Sequence, residues 1–174
     1  KRHADELDGM VVVLPNFGDE KGVTEVLRLS GLKLPVLIHA YPDDLKQLNP
    51  ARRRDAYCGK ISVCNNLVQT GIKFTLTVRH VCHPASKEFA ADLQSFHGVC
   101  RVVKGLRGAR LGAVGARPGA FNTVRYSEKI LERLGISVTT VDLSEILAQA
   151  SKLDAGAAAV KAKLAEIEAY APAP

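Results

Sequence analysis

Three features of this sequence predict an α/β fold with a three-layer, mainly parallel, Rossmann-like sheet. Short apolar runs rich in β-branched residues recur along the chain, segments of helical periodicity stand between them, and the two alternate with few breaks. Strands joined through helices run parallel and carry helices on the faces of their sheet. The length of 174 residues suits one domain or two small ones. At 47% hydrophobic and 24% charged, the composition can build a core and excludes wholesale disorder.

The elements follow in order. Met10-Val-Val-Val-Leu14 is bounded by Gly9 and Pro15 and does not alternate, so a strand buried on both faces is expected. Asp19 and Glu20 open a helix whose Val23, Val26, Leu27 and Leu29 should share one side, with Gly31 as its stop. Pro35 to Tyr41 is the second strand, followed by a turn at Pro42-Asp-Asp44 and an arginine-rich loop to Ala56. A short helix from Lys60 to Gln69 ends at Gly71. Lys73 to Arg79 reads as a third strand, with Phe74, Leu76 and Val78 alternating against Thr75 and Thr77.

Ser86 is placed to cap a long helix whose apolar face carries Phe89, Leu93, Phe96 and Cys100. A fourth strand spans Arg110 to Gly115, a helix Asn122 to Leu134 stops at Gly135, and a fifth strand spans Ile136 to Asp142. Two helical stretches, Ser144–Leu153 and Ala157–Tyr170, precede a closing Ala-Pro-Ala-Pro tail or linker.

Charge and cysteine usage narrow the class. Lys and Arg exceed Asp and Glu by 24 to 18, yet the chain has no Trp and only 5% aromatics from which to build base-stacking platforms. A solvated basic face is therefore expected rather than nucleic-acid binding. No apolar run approaches the ~20 residues of a membrane span, and no secretory leader is visible, so a cytoplasmic protein with reduced thiols at Cys58, Cys64, Cys82 and Cys100 is expected. The opening at Lys1, with Met10 as the only methionine, suggests a piece of a longer protein.

Ligands of open parallel sheets bind beyond the carboxyl ends of the strands. Here that marks Pro15–Glu20, Tyr41–Asp44, Arg79–His83 and Gly115–Asn122. The last is the richest. Its glycines allow close backbone approach, the expected helix would offer free N–H groups, and Arg117 adds a fork of donors. The same residues also suit a plain strand-to-helix turn with Arg117 in solvent. His80, Cys82 and His83 form one cluster without the partner cluster a zinc site needs. Asp43-Asp44 and Asp19-Glu20 could ligate a cation, but adjacent acids at a helix start are what the macrodipole favours. No nucleophile elbow, phosphate loop or dinucleotide fingerprint occurs.

Four stretches together resemble a known family: Leu14-Pro-Asn-Phe-Gly-Asp-Glu20, Tyr57-Cys-Gly-Lys-Ile-Ser-Val-Cys-Asn-Asn-Leu67, Gly115-Ala-Arg-Pro-Gly-Ala-Phe-Asn-Thr-Val-Arg-Tyr-Ser-Glu128 and Val141-Asp-Leu-Ser-Glu-Ile146. They are similar to the amino-terminal half of L-fucose isomerase-like proteins and, more distantly, L-arabinose isomerases. The resemblance implies two Rossmann-like domains: residues 1–105 as most of the first, lacking its opening strands, and 106–174 as the beginning of the second. It further implies a metal-dependent aldose–ketose isomerase working by an ene-diol route, with Mn²⁺ or another divalent cation held by a Glu, an Asp and a His in the remaining domains. On this reading the fragment is inert alone and has no catalytic or metal-binding residue of its own. Arg117, Pro118, Phe121 and Asn122 would face the sugar, and the protein would form homo-oligomers in which Asn16, Asp19 and Cys58–Asn66 could meet a neighbouring subunit. The alternative is a non-catalytic small-molecule-binding α/β module.

Overall fold

The computed structural model describes residues 3–171 and contains parallel strands alternating with helices, an α/β fold with small sheets. The Ala-Pro-Ala-Pro close lies outside the described residues apart from Ala171. The chain divides into two compact units, Lys1–Gly105 and Leu106–Pro174.

In the first unit, β1 (Met10–Leu14), β2 (Val36–Ala40) and β3 (Thr75–Leu76) form a parallel sheet in that order. The ladder runs from Met10 opposite Val36 to Leu14 opposite Ala40. Parallel neighbours need a crossover, and α1 (Glu20–Ser30) and α2 (Ala56–Gln69) supply them. Asp19 caps α1 by accepting the Gly22 N–H at 2.9 Å, and Gly31 ends it in the left-handed conformation at φ 67°.

β2 is buried at every position, and pleating sends successive residues to opposite faces. Ile38 packs with Leu27, Val63 and Leu67 beneath α1 and α2. Leu37 packs with Phe89, Phe96 and Cys100 of α3 (Lys87–Leu106) on the other face. These two clusters make the unit three-layered.

Several local expectations are corrected. β1 is an edge strand, so Val11 and Val13 remain 40% and 47% exposed rather than buried on both faces. On α1 only Val23, Thr24 and Leu27 turn inward, whereas Val26 and Leu29 face solvent. α2 starts four residues earlier than Lys60, at Ala56. On α3, Asp92 rather than Leu93 takes the buried place between Phe89 and Phe96. The third strand shrinks to Thr75–Leu76, and its alternation is inverted: Thr77 is buried while Leu76 and Val78 are exposed. The cause is polar. The Val78 N–H donates to the Asp92 carboxylate at 3.1 Å, and the Thr77 hydroxyl is claimed by Lys60 and Arg79, so the chain leaves the ladder.

The second unit holds β4 (Arg110–Val114) and β5 (Ser137–Val141), paired in parallel from Arg110 opposite Ser137 to Val114 opposite Val141. α4 (Glu128–Arg133), α5 (Leu143–Ala150) and α6 (Ala158–Tyr170) complete it. Asp142 caps α5 through the Ser144 N–H at 2.8 Å. Ile136 is its one buried apolar residue among those described.

α4 corrects the largest sequence expectation: the helix begins at Glu128 and not at Asn122. Asn122, Thr123, Val124, Tyr126 and Ser127 are all poor helix formers, and none of them is buried. The stretch instead makes two tight turns, with the Phe121 N–H on the Pro118 carbonyl at 3.2 Å and the Arg125 N–H on the Asn122 carbonyl at 3.1 Å.

Candidate functional site

The carboxyl ends of the strands carry a distinct construction in each unit. In the first, the loop from Thr77 to His83 is pinned by three buried side chains from three elements. Lys60 of α2, only 4% exposed, donates to the Thr77 hydroxyl at 2.7 Å and to the His80 carbonyl at 2.9 Å. Asp92 of α3 accepts from Val78. His39 of β2, fully buried, donates from Nε2 to the Cys82 carbonyl at 2.8 Å, and the Cys82 N–H returns to the Ala40 carbonyl at 3.2 Å. The assigned donor role makes the other ring nitrogen of a neutral His39 an acceptor.

Burial sets the protonation chemistry of this knot. It pushes the Lys60 ammonium below its usual pKa, against the opposing pull of Cys64, Cys82 and Asp92. It lowers His39 below 6.5, with nearby Lys60 adding to the effect and the Cys82 carbonyl opposing it. The thiols of Cys64, Cys82 and Cys100 are pushed up by the same loss of water. Raised thiol pKa values make these cysteines poor nucleophiles. All four cysteines are free.

The structure disperses the His80–His83 cluster. The His80 ring stacks on Tyr57 at 5.1 Å, Cys82 is buried, and His83 accepts the Ala85 N–H through Nδ1 at 3.2 Å. Three of the four paired acids are engaged in local turns and caps. Asp43 accepts the N–H groups of Arg54 and Asp55 at 2.6 and 3.2 Å, Asp44 closes the turn at Lys46 and Gln47, and Asp19 caps α1. Arg54 lies over the Tyr41 ring at 5.2 Å and donates to the Pro15 carbonyl at 3.2 Å, so the arginine-rich loop folds back on the strand ends. Among the described residues, no three carboxylate, imidazole or thiol groups are placed to hold a metal ion. The donors among the described residues therefore do not by themselves fit the divalent cation that the resemblance implies.

In the second unit, β4, β5 and the turns after β4 enclose an open cavity of about 580 Å³. Pockets of roughly 300–1,000 Å³ accommodate small-molecule ligands. Gly115, in the left-handed conformation at φ 71°, turns the chain out of β4 and lets Ala116, Arg117 and Pro118 form one wall. Of the four residues expected to face a sugar, Arg117 and Pro118 line this cavity, while Phe121 and Asn122 lie outside its lining. Phe121 is 56% exposed, and Asn122 contributes the carbonyl that turns the chain at Arg125.

Sequence reasoning missed Arg125, Tyr126, Glu128 and Thr140, which line the same cavity. The helix expected over 122–134 would carry the first three, and of these only Glu128 is helical. For Arg125 and Tyr126 the available signal is the weak helix formers around them, Asn122, Thr123, Val124 and Ser127, which disfavour a helix through this stretch. No side-chain hydrogen bond or ion pair engages Arg117, Arg125, Tyr126 or Glu128 among the described residues.

Comparison with known proteins gives one finding on family. The sequence model for the N-terminal domain of fucose/sulfoquinovose isomerases matches residues 1–107 of the 174. No match was found among curated proteins.

Proposed function

This chain belongs to the fucose/sulfoquinovose isomerase family, and on that premise we propose that it supplies scaffold and one wall of the sugar site of a metal-dependent aldose–ketose isomerase. The units Lys1–Gly105 and Leu106–Pro174 then correspond to the first Rossmann-like domain and the beginning of the second. The observation that carries the reading is the cavity at the end of β4, where Arg117, Arg125, Tyr126 and Glu128 present side chains with no hydrogen-bond or ion-pair partner among the described residues. Sugars are recognised by such uncommitted donors and acceptors, because each buried hydroxyl must be paired.

The division of labour follows from what these residues can do. Arg117 donates to ring or hydroxyl oxygens, Pro118 fixes the path of the wall, and Glu128 accepts from hydroxyls. Phe121 and Asn122 act at the outer edge, where they would meet substrate only after a further domain or a neighbouring subunit covers the cavity. The Mn²⁺ or equivalent cation supplies polarisation of the carbonyl and hydroxyl when bound. Its ligands belong to the remaining domains of the protein, and this chain alone is inert. A cytoplasmic homo-oligomer is the setting we propose.

The first test is to incubate the chain with Mn²⁺ and a panel of aldoses. No ketose is expected, and ketose formation would overturn the assignment of the catalytic groups to other domains. The second is Arg117→Ala in the isomerase containing this chain, expected to weaken sugar binding by about 1–3 kcal/mol through lost charged hydrogen bonds. An unchanged KM across the panel would remove Arg117 from the site. Sugar binding by an intact protein that never isomerises would favour the non-catalytic binding module.

A further inference from the structure

A sheet edge is a row of unpaired backbone groups, and proteins blunt it with short strands, charges, prolines or bulges. Three strands here are weakened as edges. β3 is two residues long, β4 carries Arg110 and Gly112, and β5 carries Ser137, Thr139 and Thr140. β1 has no such device. Its five residues, Met-Val-Val-Val-Leu, hold no charge, no proline and no polar side chain, and its register with β2 runs unbroken from end to end.

The same register shows which groups this edge offers. In a parallel pair, alternate residues direct both their N–H and their C=O at the neighbouring strand. The Met10 N–H donates to the Pro35 carbonyl at 2.9 Å, and the Leu14 carbonyl accepts from the Tyr41 N–H at 3.0 Å. Met10, Val12 and Leu14 therefore serve β2, and the N–H and C=O groups of Val11 and Val13 point away from it. No described strand lies beyond them, and both side chains are exposed.

An identical strand fits this edge. Laid antiparallel about a two-fold axis at Val12, it sets Val11 of each copy opposite Val13 of the other, and residues so paired exchange both hydrogen bonds. Every outward N–H and C=O of Val11 and Val13 is then used in both copies. Beyond the strand, the register sets Asp8 level with Asn16 of the second copy, so no like charges meet. Water can satisfy the same backbone groups, but only a second strand also covers the exposed valines.

We propose that the free edge of β1 is a self-association surface, on which a second copy of this chain adds its own β1 antiparallel with Val12 on the two-fold axis. The contact is isologous and therefore stops at two copies. A five-residue strand pair buries less than the ~1,200 Å² of a standard interface, so the dimer is weak, with a Kd in the micromolar to millimolar range. The pairing is independent of the sugar-site reading and uses no residue of that cavity.

The test follows amide exchange and sedimentation of the 174-residue chain from about 10 µM to about 1 mM, a range that spans such a Kd. At the low end, the amides of Val12 and Leu14 should be protected and those of Val11 and Val13 should exchange freely. At the high end all four should be protected, and the mass should approach that of two copies. A mixed-label sample should then show the close Hα–Hα contact of Val12 with Val12 of the second copy. Val13→Lys and Val11→Glu should each weaken dimerisation by about tenfold or more. Their mixture should restore it, because the register brings the two new charges face to face.

A chain that stays monomeric to about 1 mM would overturn the pairing, as would a dimer whose affinity neither variant changes. Protection of Val11 and Val13 that does not vary with concentration would put another segment of the same chain on the edge and overturn it equally. A mixture no tighter than either variant alone would refute the antiparallel register. Both valines are exposed, so the amide spectrum of each variant serves to verify that its fold is retained.

Discussion

The two units are built from the same alternation of strand and helix and differ in what they bury. The first sheet carries a buried cluster on each face, and its unit holds every buried apolar residue among those described except Ile136. The second has two strands, three helices and almost no interior: Leu111, Val114, Leu143, Leu147, Leu164 and Ile167 are 48–60% exposed. Element formation and core formation are thus separable. Caps and strand pairing specify where helices and strands begin, but a two-stranded sheet cannot enclose its own apolar side chains. The first unit carries its stability within itself, and the second leaves its apolar surface open.

Hydrogen exchange provides the largest test of that contrast. Backbone amides of Val36–Ala40 in β2 should be protected by close to the global stability, and those of Ser137–Val141 in β5 by little. A difference of about a hundredfold or more in exchange rate is expected, since ~3 kcal/mol of opening free energy corresponds to more than that factor. Equal protection in β2 and β5 would show that the second unit is stabilised as well as the first.

Truncation gives the next largest effect. Leu67 is fully buried and Leu164 is 53% exposed. Leu67→Ala should cost about 2–5 kcal/mol in urea unfolding, and Leu164→Ala no more than about 0.5 kcal/mol. Similar losses would mean that α6 packs far more firmly than its exposure indicates.

The smallest effect is on pH dependence, and it is read at His39 of the first unit. The folded pKa of His39 lies below its ordinary 6.5, so on acidification the unfolded chain takes up the proton first. Stability should fall as pH drops below 6.5 towards the folded value, with no matching change above it. A series of melting temperatures across this range measures the slope, and His39→Gln should flatten it. An unaltered slope in the variant would remove His39 as the source.

Much of this organisation was legible in the sequence because it depends on local chemistry. Asp19, Gly31, Ser86, Gly135 and Asp142 mark element ends through their own caps and turn conformations. Met10–Leu14 and Pro35–Tyr41 announce strands by β-branched composition. Long-range polar chemistry was not legible. Lys60 on α2 is an ordinary helical lysine until the fold brings Thr77 and His80 against it, and Asp92 is one acid among many until Val78 needs an acceptor. These pairs are 17, 20 and 14 residues apart, beyond any local pattern. The cavity was half legible for the same reason: Arg117 sits in a conspicuous loop, but Arg125 joins it only because the chain between them turns twice.

The pinned segment from Thr77 to His83 also has a consequence for the order of assembly. Its three anchors ride on β2, α2 and α3, so no pair of these elements can fix its path before the third has arrived. Closing it early would cost chain entropy with one or two of the bonds still unmade. During folding this tip should therefore become native last in its unit, acting as a latch whose closure registers that the sheet and both of its layers are in place.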